Sequence, residues 1–245
     1  MPVAPGACDV WIARGRLFAP HARRLEAVLC PAERAHVGRF RRKEDRAEAR
    51  LSRSLLRILL SRYLEVEPCR VPLDRRCPTC GGPHGKPRLA AWTGLEVSVS
   101  HSGDLLVLAV TSGTPVGVDV EHLPRHPEPP SHELLELACA PAERRRVWDA
   151  PPHDRGRMFL SYWTGKEAVV KMTGAGLACA LPDVHLPPPG QAGSVKLADG
   201  GWGETEVWTR PLDVGPAHLA TLASARELTD VRIAQVPLTL LAGGR

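Results

Sequence analysis

Two short runs carry residue types that could do chemistry. Gly117-Val118-Asp119-Val120-Glu121 reads as a strand, and its period of two sends Asp119 and Glu121 to one face of a sheet. Glu167 follows Glu121 by 46 residues, inside Trp163-Thr164-Gly165-Lys166-Glu167-Ala168-Val169-Val170-Lys171. Three carboxylates beside two or three ammonium groups suit a divalent cation that must also hold phosphate oxygens. Asp and Glu are poor strand formers, and like charges side by side repel unless a cation lies between them. The ordinary alternative is an acidic pair on an exposed strand face. The helix around Glu167 is apolar on nearly every side, through Met158, Phe159, Leu160, Tyr162, Trp163, Ala168, Val169, Val170 and Met172. Such a helix is expected to be buried, which makes its charges costly unless they have partners. A plain Glu167–Lys171 pair on a solvated stripe, worth about 0.2–0.5 kcal/mol, stays open as the other reading.

Other fragments are weaker. Ser100-His101-Ser102-Gly103 is no hydrolase pair, because adjacent strand residues point to opposite faces and no G-x-S-x-G turn exists. His101 at a strand end could donate to a phosphate. His84-Gly85-Lys86-Pro87 lacks the spacing of a Walker loop. Cys77-Pro78-Thr79-Cys80 followed by His84 has partial zinc spacing, and an unmetallated turn is preferred there over structural Zn²⁺. His132-Glu133-Leu134-Leu135-Glu136 resembles a zincin helix without its second histidine.

The elements that must position these residues follow from pattern. Strands are expected at Val10–Ala13, Leu95–Ser100, Leu105–Thr111 and Val116–Glu121, with Ser102-Gly103-Asp104 turning a hairpin. In the second half they are expected at Glu204–Trp208, Ala217–Ala223 and Val231–Val236. Long helices are expected over Glu44–Leu64 and from about Arg157 to Thr173. Pro31-Ala32-Glu33-Arg34 recurs as Pro141-Ala142-Glu143-Arg144, an offset of 110, and each copy reads as a helix start ahead of a long helix. Two similar halves follow, in an α+β arrangement.

Composition sets the class. The chain has 245 residues, 43% hydrophobic and 24% charged, enough to bury a real core. No apolar run spans a membrane, and no signal peptide is evident. With seven cysteines, an odd number, a reducing cytoplasmic setting is expected. The net charge of +5 suits an acidic partner, while 4% aromatic content gives a nucleic-acid surface little support. Only five of the 32 basic residues are lysines, and Lys86, Lys166 and Lys171 all fall in the runs above.

Taken in series, these runs resemble the larger, single-chain 4′-phosphopantetheinyl transferases (the Sfp-type group) that activate nonribosomal peptide and polyketide synthases. The matching residues are Gly85-Lys86-Pro87, Ser98-Val99-Ser100-His101-Ser102 and Gly117-Val118-Asp119-Val120-Glu121. Trp163-x-x-Lys166-Glu167-Ala168-x-x-Lys171 then follows, with Gly174-x-Gly176-Leu177 behind it. Arg39-Phe40 through Asp45-Arg46 and the Leu51–Leu60 helix resemble the family's first-lobe helix. The Cys77/Cys80/His84 cluster is not part of the general family pattern.

The resemblance implies a pseudo-dimer of two α/β lobes, residues 1–114 and 115–245, each a small antiparallel sheet with a long helix. Coenzyme A and Mg²⁺, or Mn²⁺, would bind in the cleft between them. The implied reaction moves 4′-phosphopantetheine from coenzyme A to a serine of an acidic acyl or peptidyl carrier protein, releasing adenosine 3′,5′-bisphosphate. By resemblance Asp119, Glu121 and Glu167 hold the metal, Glu167 is the general base, and Lys171 neutralises pyrophosphate with Lys166 beside it. Arg46, Arg53, Lys86, Ser100 and His101 would bind phosphates and adenine-side groups. A monomer is expected. The alternative from another class is a non-catalytic, zinc-stabilised nucleic-acid or adaptor module.

Overall fold

The computed structural model describes residues 2–77, 80–174, 176, 179–197 and 206–241. The fold is α+β, with helices set against antiparallel sheets. The chain divides into two compact units, Met1–Gly113 with Val231–Arg245, and Thr114–Asp230. The sequence reading carried the second half to the C-terminus. The last strand, Asp230–Gln235, instead lies in the first unit's sheet, and Val236 N–H donates to Ile12 O (2.8 Å).

In the first unit that strand is followed across the sheet by β1 (Ala7–Arg14), then by a hairpin of β2 (Leu95–Ser102) and β3 (Leu105–Ser112). β3 lies between β1 and β2, so Cys8 faces Thr111 and Val97 faces Val110. Helix α1 (Pro31–Gly38) leads into the 22-residue α2 (Lys43–Leu64). Leu51, Leu55, Leu56, Ile58 and Leu59 of α2 share one core with Val97, Leu106, Leu108 and Val110 of the sheet.

The second unit begins with β4 (Val116–His122) and continues with α3 (His132–Ala138), α4 (Pro141–Asp149) and the 22-residue α5 (Pro152–Thr173). Its remaining strands are β5 (Gly193–Leu197), β6 (Val207–Leu212) and β7 (His218–Ser224). They pair in the order β4-β7-β6-β5, with Val184–His185 at the far edge. α5 buries Ala168, Val169 and Met172 with Val207 and Ala223 of the sheet. Its opposite side buries Phe159 and Tyr162 with Leu135, Ala138 and Val147 of the short helices. This is the apolar-all-round helix expected from its composition.

Several element boundaries differ from the sequence reading, those of α5 and β6 the most. α5 starts at Pro152 rather than near Arg157 because its first turn, Pro-His-Asp-Arg-Gly, is polar and shows no apolar period. Gly156 in that turn has no room for a side chain, since a Cβ there would lie 2.6 Å from the carbonyls of Pro127 and Glu128. The strand expected at Glu204–Trp208 is Val207–Leu212. Glu204 and Thr205, like Leu177 and the Pro78-Thr79 of the cysteine turn, lie outside the described residues.

The Pro-Ala-Glu-Arg echo has a physical basis. In α1, Glu33 accepts from the N-cap Cys30 N–H (3.0 Å), and its carboxylate takes Arg57 Nε of α2 at 2.5 Å. Arg57 then fans out to the carbonyls of Pro68, Cys69 and Val71. In α4, Glu143 accepts from the N-cap Ala140 N–H (2.7 Å) and pairs with Lys166 Nζ of α5 at 2.7 Å. Lys166 donates onward to Leu181 O (2.9 Å) and Val184 O (2.5 Å). Each unit thus ties a helix start, its long helix and the following loop together through one buried ion pair. Burial alone would raise Glu33, but the Arg57 guanidinium and the Cys30 N–H outweigh it and hold the carboxyl below its ordinary range.

This overturns one expectation. Lys166 is 0% exposed and committed to Glu143 and two carbonyls, so it does not lie beside Lys171 among phosphate ligands. Five residues along a helix rotate a side chain by about 140°, which points Lys166 at α4 and Lys171 at the sheet. Lys166→Ala would leave Glu143 charged and buried, and should lower the unfolding free energy by about 3–5 kcal/mol in a urea titration. Wild-type stability together with weakened coenzyme A binding would return Lys166 to the ligand site.

Candidate active site

Gly117 sets the distance between α5 and its sheet. A Cβ there would fall 1.9 Å from Ala168 O and 2.4 Å from Met172 N, so the helix backbone rests directly on the strand. Period two then aims Asp119 and Glu121, on the same face as Gly117, along the flank of α5. Asp119 is 4% exposed and accepts from Lys171 Nζ at 2.6 Å. Thr221 stands opposite Asp119 on β7, and its Oγ1 lies 3.3 Å from Thr164 Oγ1 of α5. Thr164, Ala168 and Lys171 form the stripe of α5 that faces the sheet, and Glu167 sits on the edge of that stripe.

Glu167 is electrostatically part of the same group. Burial raises its pKa, Asp119 and Glu121 raise it further, and Lys171 pulls the other way. Burial and two like charges make its charged form costly, and a cation joining the group would offset that cost. The set is all-oxygen and acidic, which is the donor chemistry of a hard divalent ion such as Mg²⁺. The three carboxylates do not stand pre-closed: their oxygens do not all lie within 4.8 Å of one another. The glutamates have the rotatable bonds to close, whereas Asp119 is held by Lys171. The Asp119–Lys171 bond also shows that Lys171 reaches across to the strand, beyond an i,i+4 pair within its own helix.

The first unit holds a concentration of cations. Arg46, Arg50, Arg53 and Arg57 recur at spacings of 4, 3 and 4 and so form one stripe of α2. Arg57 belongs to the Glu33 lock, and Arg50 pairs with Glu26 at 3.5 Å. Arg46 Nη2 donates to Phe40 O (2.7 Å), while its buried Nε has no partner among the described residues. Arg53 is buried and donates to Pro83 O (3.2 Å). Arg75, which sequence reasoning missed, has Nε and Nη2 buried with no hydrogen-bond partner among the described residues. Burial and the neighbouring Arg53 lower its pKa to about 10. His36 is held low by burial and by Arg53, Arg39, Arg75 and His84. Buried guanidinium nitrogens among other cations make a ready site for a multiply charged anion.

Lys86, Ser100 and His101 are the other ligands expected in the first unit. Lys86 is largely buried, 4.0 Å from Glu96, and burial lowers its pKa to about 8. Ser100 is buried on β2. His101, its neighbour on the opposite face, is half exposed and its Nδ1 contacts Glu48 of α2.

Comparisons with known proteins match both units. Residues 115–204 match the model of the 4′-phosphopantetheinyl transferase superfamily, and residues 19–113 match that of the 4′-phosphopantetheinyl transferase N-terminal region. The chain is 34% identical to 4′-phosphopantetheinyl transferase HetI of Nostoc sp. over 157 residues, 63% of each chain. It is 30% identical over 189 residues, 75% of this chain and 71% of the other, to slr0495 of Synechocystis sp., provisionally assigned as a 4′-phosphopantetheinyl transferase. A phosphopantetheinyl transferase of Thraustochytrium sp. is 28% identical over 243 residues, 92% of this chain and 81% of its own.

Proposed function

The chain belongs to the 4′-phosphopantetheinyl transferase superfamily, and from that premise we propose that it transfers 4′-phosphopantetheine from coenzyme A to a carrier-protein serine. The observation that carries this reading is the convergence of Asp119, Glu121, Glu167 and Lys171 on one face of β4 and α5. The serine oxygen forms a bond to the β-phosphorus of the pyrophosphate. The bond from that phosphorus to the bridging oxygen breaks, and adenosine 3′,5′-bisphosphate leaves.

Charge must be neutralised on both sides of that bond. Asp119, Glu121 and Glu167 would hold Mg²⁺ or Mn²⁺, which when bound supplies a positive centre for the pyrophosphate oxygens. Asp119 orients the Lys171 ammonium, which neutralises a further phosphate oxygen. Glu167 takes the serine proton, directly or through one water; the desolvation that raises its pKa also raises its basicity. Arg46, Arg53, Arg75 and Lys86 supply cations for the adenosine-side phosphates, with Ser100 and His101 as further polar contacts.

The finer architecture belongs to the same proposal. The two units, each with its Glu-to-cation lock, are read as copies of one plan, and the ligand as bound in the cleft between the lobes. A monomer acting in the cytoplasm on acidic acyl or peptidyl carrier proteins fits the basic composition. No described helix is long and apolar enough to cross a membrane.

Lys86 gives a pH test. Its pKa of about 8 means that the free protein carries the charge below that pH and loses it above. Coenzyme A KM should therefore stay flat below pH 8 and rise above it, and Lys86→Arg should remove the rise because arginine keeps its proton. A pH-independent KM for the wild type would take Lys86 out of the phosphate set. The reaction itself is tested by chromatography of adenosine 3′,5′-bisphosphate. It should accumulate only when enzyme, coenzyme A, Mg²⁺ and an apo carrier protein are all present. Release of a free thiol from an acyl-coenzyme A, with no bisphosphate, would indicate an acyltransferase instead.

A further inference from the structure

One side-chain cluster outside the machinery above closes on itself. Among the described residues, Cys77, Cys80 and His84 are the single set of three Cys, His, Asp or Glu whose ligand atoms all lie within 4.8 Å of one another. We propose that these residues bind a Zn²⁺ ion that clamps the loop joining Leu73–Asp74 to Arg88–Leu89.

The backbone of this loop is shaped to bring the three together. Cys77 N–H donates to Gly82 O (2.8 Å) and Gly81 N–H to Cys77 O (2.9 Å), closing a tight turn. Gly81 takes φ +71°, a conformation glycine adopts at no steric cost. Gly82 N–H donates to Cys80 Sγ (3.4 Å). A Cβ on Gly82 would crowd the His84 ring at 3.0 Å and Cys80 Sγ at 3.3 Å. Gly85 also has no room, with Arg76 O 2.6 Å from its Cβ position, and its N–H donates to Arg75 O at 2.8 Å.

The loop's flanking strands are two residues each, and a sheet of that size is not stable alone. None of the described residues between 75 and 86 belongs to the first unit's hydrophobic core. A metal crosslink between Cys77, Cys80 and His84 would add a covalent constraint across the turn. Two thiolates and an imidazole are soft to borderline donors, which select Zn²⁺ over the Mg²⁺ suited to the carboxylates of the second unit. Binding would release the two thiol protons and leave a fourth tetrahedral position for water. Zn–S of about 2.3 Å and Zn–N of about 2.0 Å place sulfur and nitrogen roughly 3.5 Å apart in a tetrahedron. The Cys80 Sγ–His84 Nε2 distance is 2.9 Å, so that pair opens by roughly 0.6 Å to admit the ion.

The clamp has a consequence for the cation cluster. Arg53 donates to Pro83 O inside the loop at 3.2 Å, and Arg75 and Lys86 lie on its two arms. Zinc would fix where these cations stand. This consequence rests on the reading that they hold coenzyme A phosphates; the metal site does not.

The test uses the full chain, purified without chelator. Elemental analysis should find about one zinc per chain, reduced to background in Cys77→Ser/Cys80→Ser. Cobalt titration of the zinc-depleted wild type should give a thiolate charge-transfer band and the visible bands of a tetrahedral ion, a readout that needs no variant to fold. Absence of both zinc and a cobalt spectrum in the wild type would overturn the site, as would recovery of Cys77 and Cys80 as a disulfide. With Mg²⁺ in excess, a zinc-selective chelator should raise coenzyme A KM several-fold and leave kcat near its starting value. Zinc bound but KM unmoved would overturn the positioning role and leave the site standing.

Discussion

Glu167→Gln should cut turnover by about 10²-fold or more while coenzyme A affinity stays close to wild type. Glutamine keeps the shape of the side chain, and at this position the carboxylate is half-buried beside Asp119 and Glu121. What is lost is basicity towards the carrier serine and one negative charge towards the cation. Both matter most as the serine oxygen attacks, so the loss falls on kcat. Isothermal titration for coenzyme A and steady-state kinetics separate the two quantities. If Glu167 were instead one end of a surface pair, the change would cost well under about 1 kcal/mol of stability and leave turnover intact.

Asp119→Ala should remove nearly all activity, on the order of 10³-fold, without unfolding the protein. Asp119 does two jobs in the proposed mechanism: it is a metal ligand, and it orients Lys171 through a 2.6 Å bond. Lys171 is 32% exposed at its side chain, so its ammonium can turn to water when the carboxylate is gone, and the fold should survive. Asp119→Asn tests the same point with the shape kept. Thermal melting should be close to wild type in both variants, and raising Mg²⁺ should not restore the rate. Normal turnover by a folded Asp119→Ala protein would remove the carboxylates of β4 from the mechanism.

Much of this site could be read before the structure, because its geometry follows from short-range periods. Asp119 and Glu121 share a face by strand alternation, and the hairpin of β2 and β3 follows from Val97-Ser98-Val99-Ser100 and the glycine turn. The structure's correction at Lys166 shows where period fails. On a helix buried on every side, sequence cannot say which face meets which neighbour. The partner that decides it, Glu143, sits in the repeated Pro-Ala-Glu-Arg run, where it reads only as a dipole-favoured residue in a first turn. Arg75 and His36 escaped notice because they meet Arg53 through tertiary packing. The 4-3-4 spacing of Arg46, Arg50, Arg53 and Arg57 was the signal that could have marked their stripe. The polar first turn of α5 hid the true start of that helix.

The most direct test of the central claim is the intact mass of an apo carrier protein incubated with this chain, coenzyme A and Mg²⁺. A gain of roughly 340 Da, the phosphopantetheine group, is expected on the carrier serine and should be abolished by EDTA. A carrier protein of unchanged mass, under conditions where the chain is folded and binds coenzyme A, would contradict that claim.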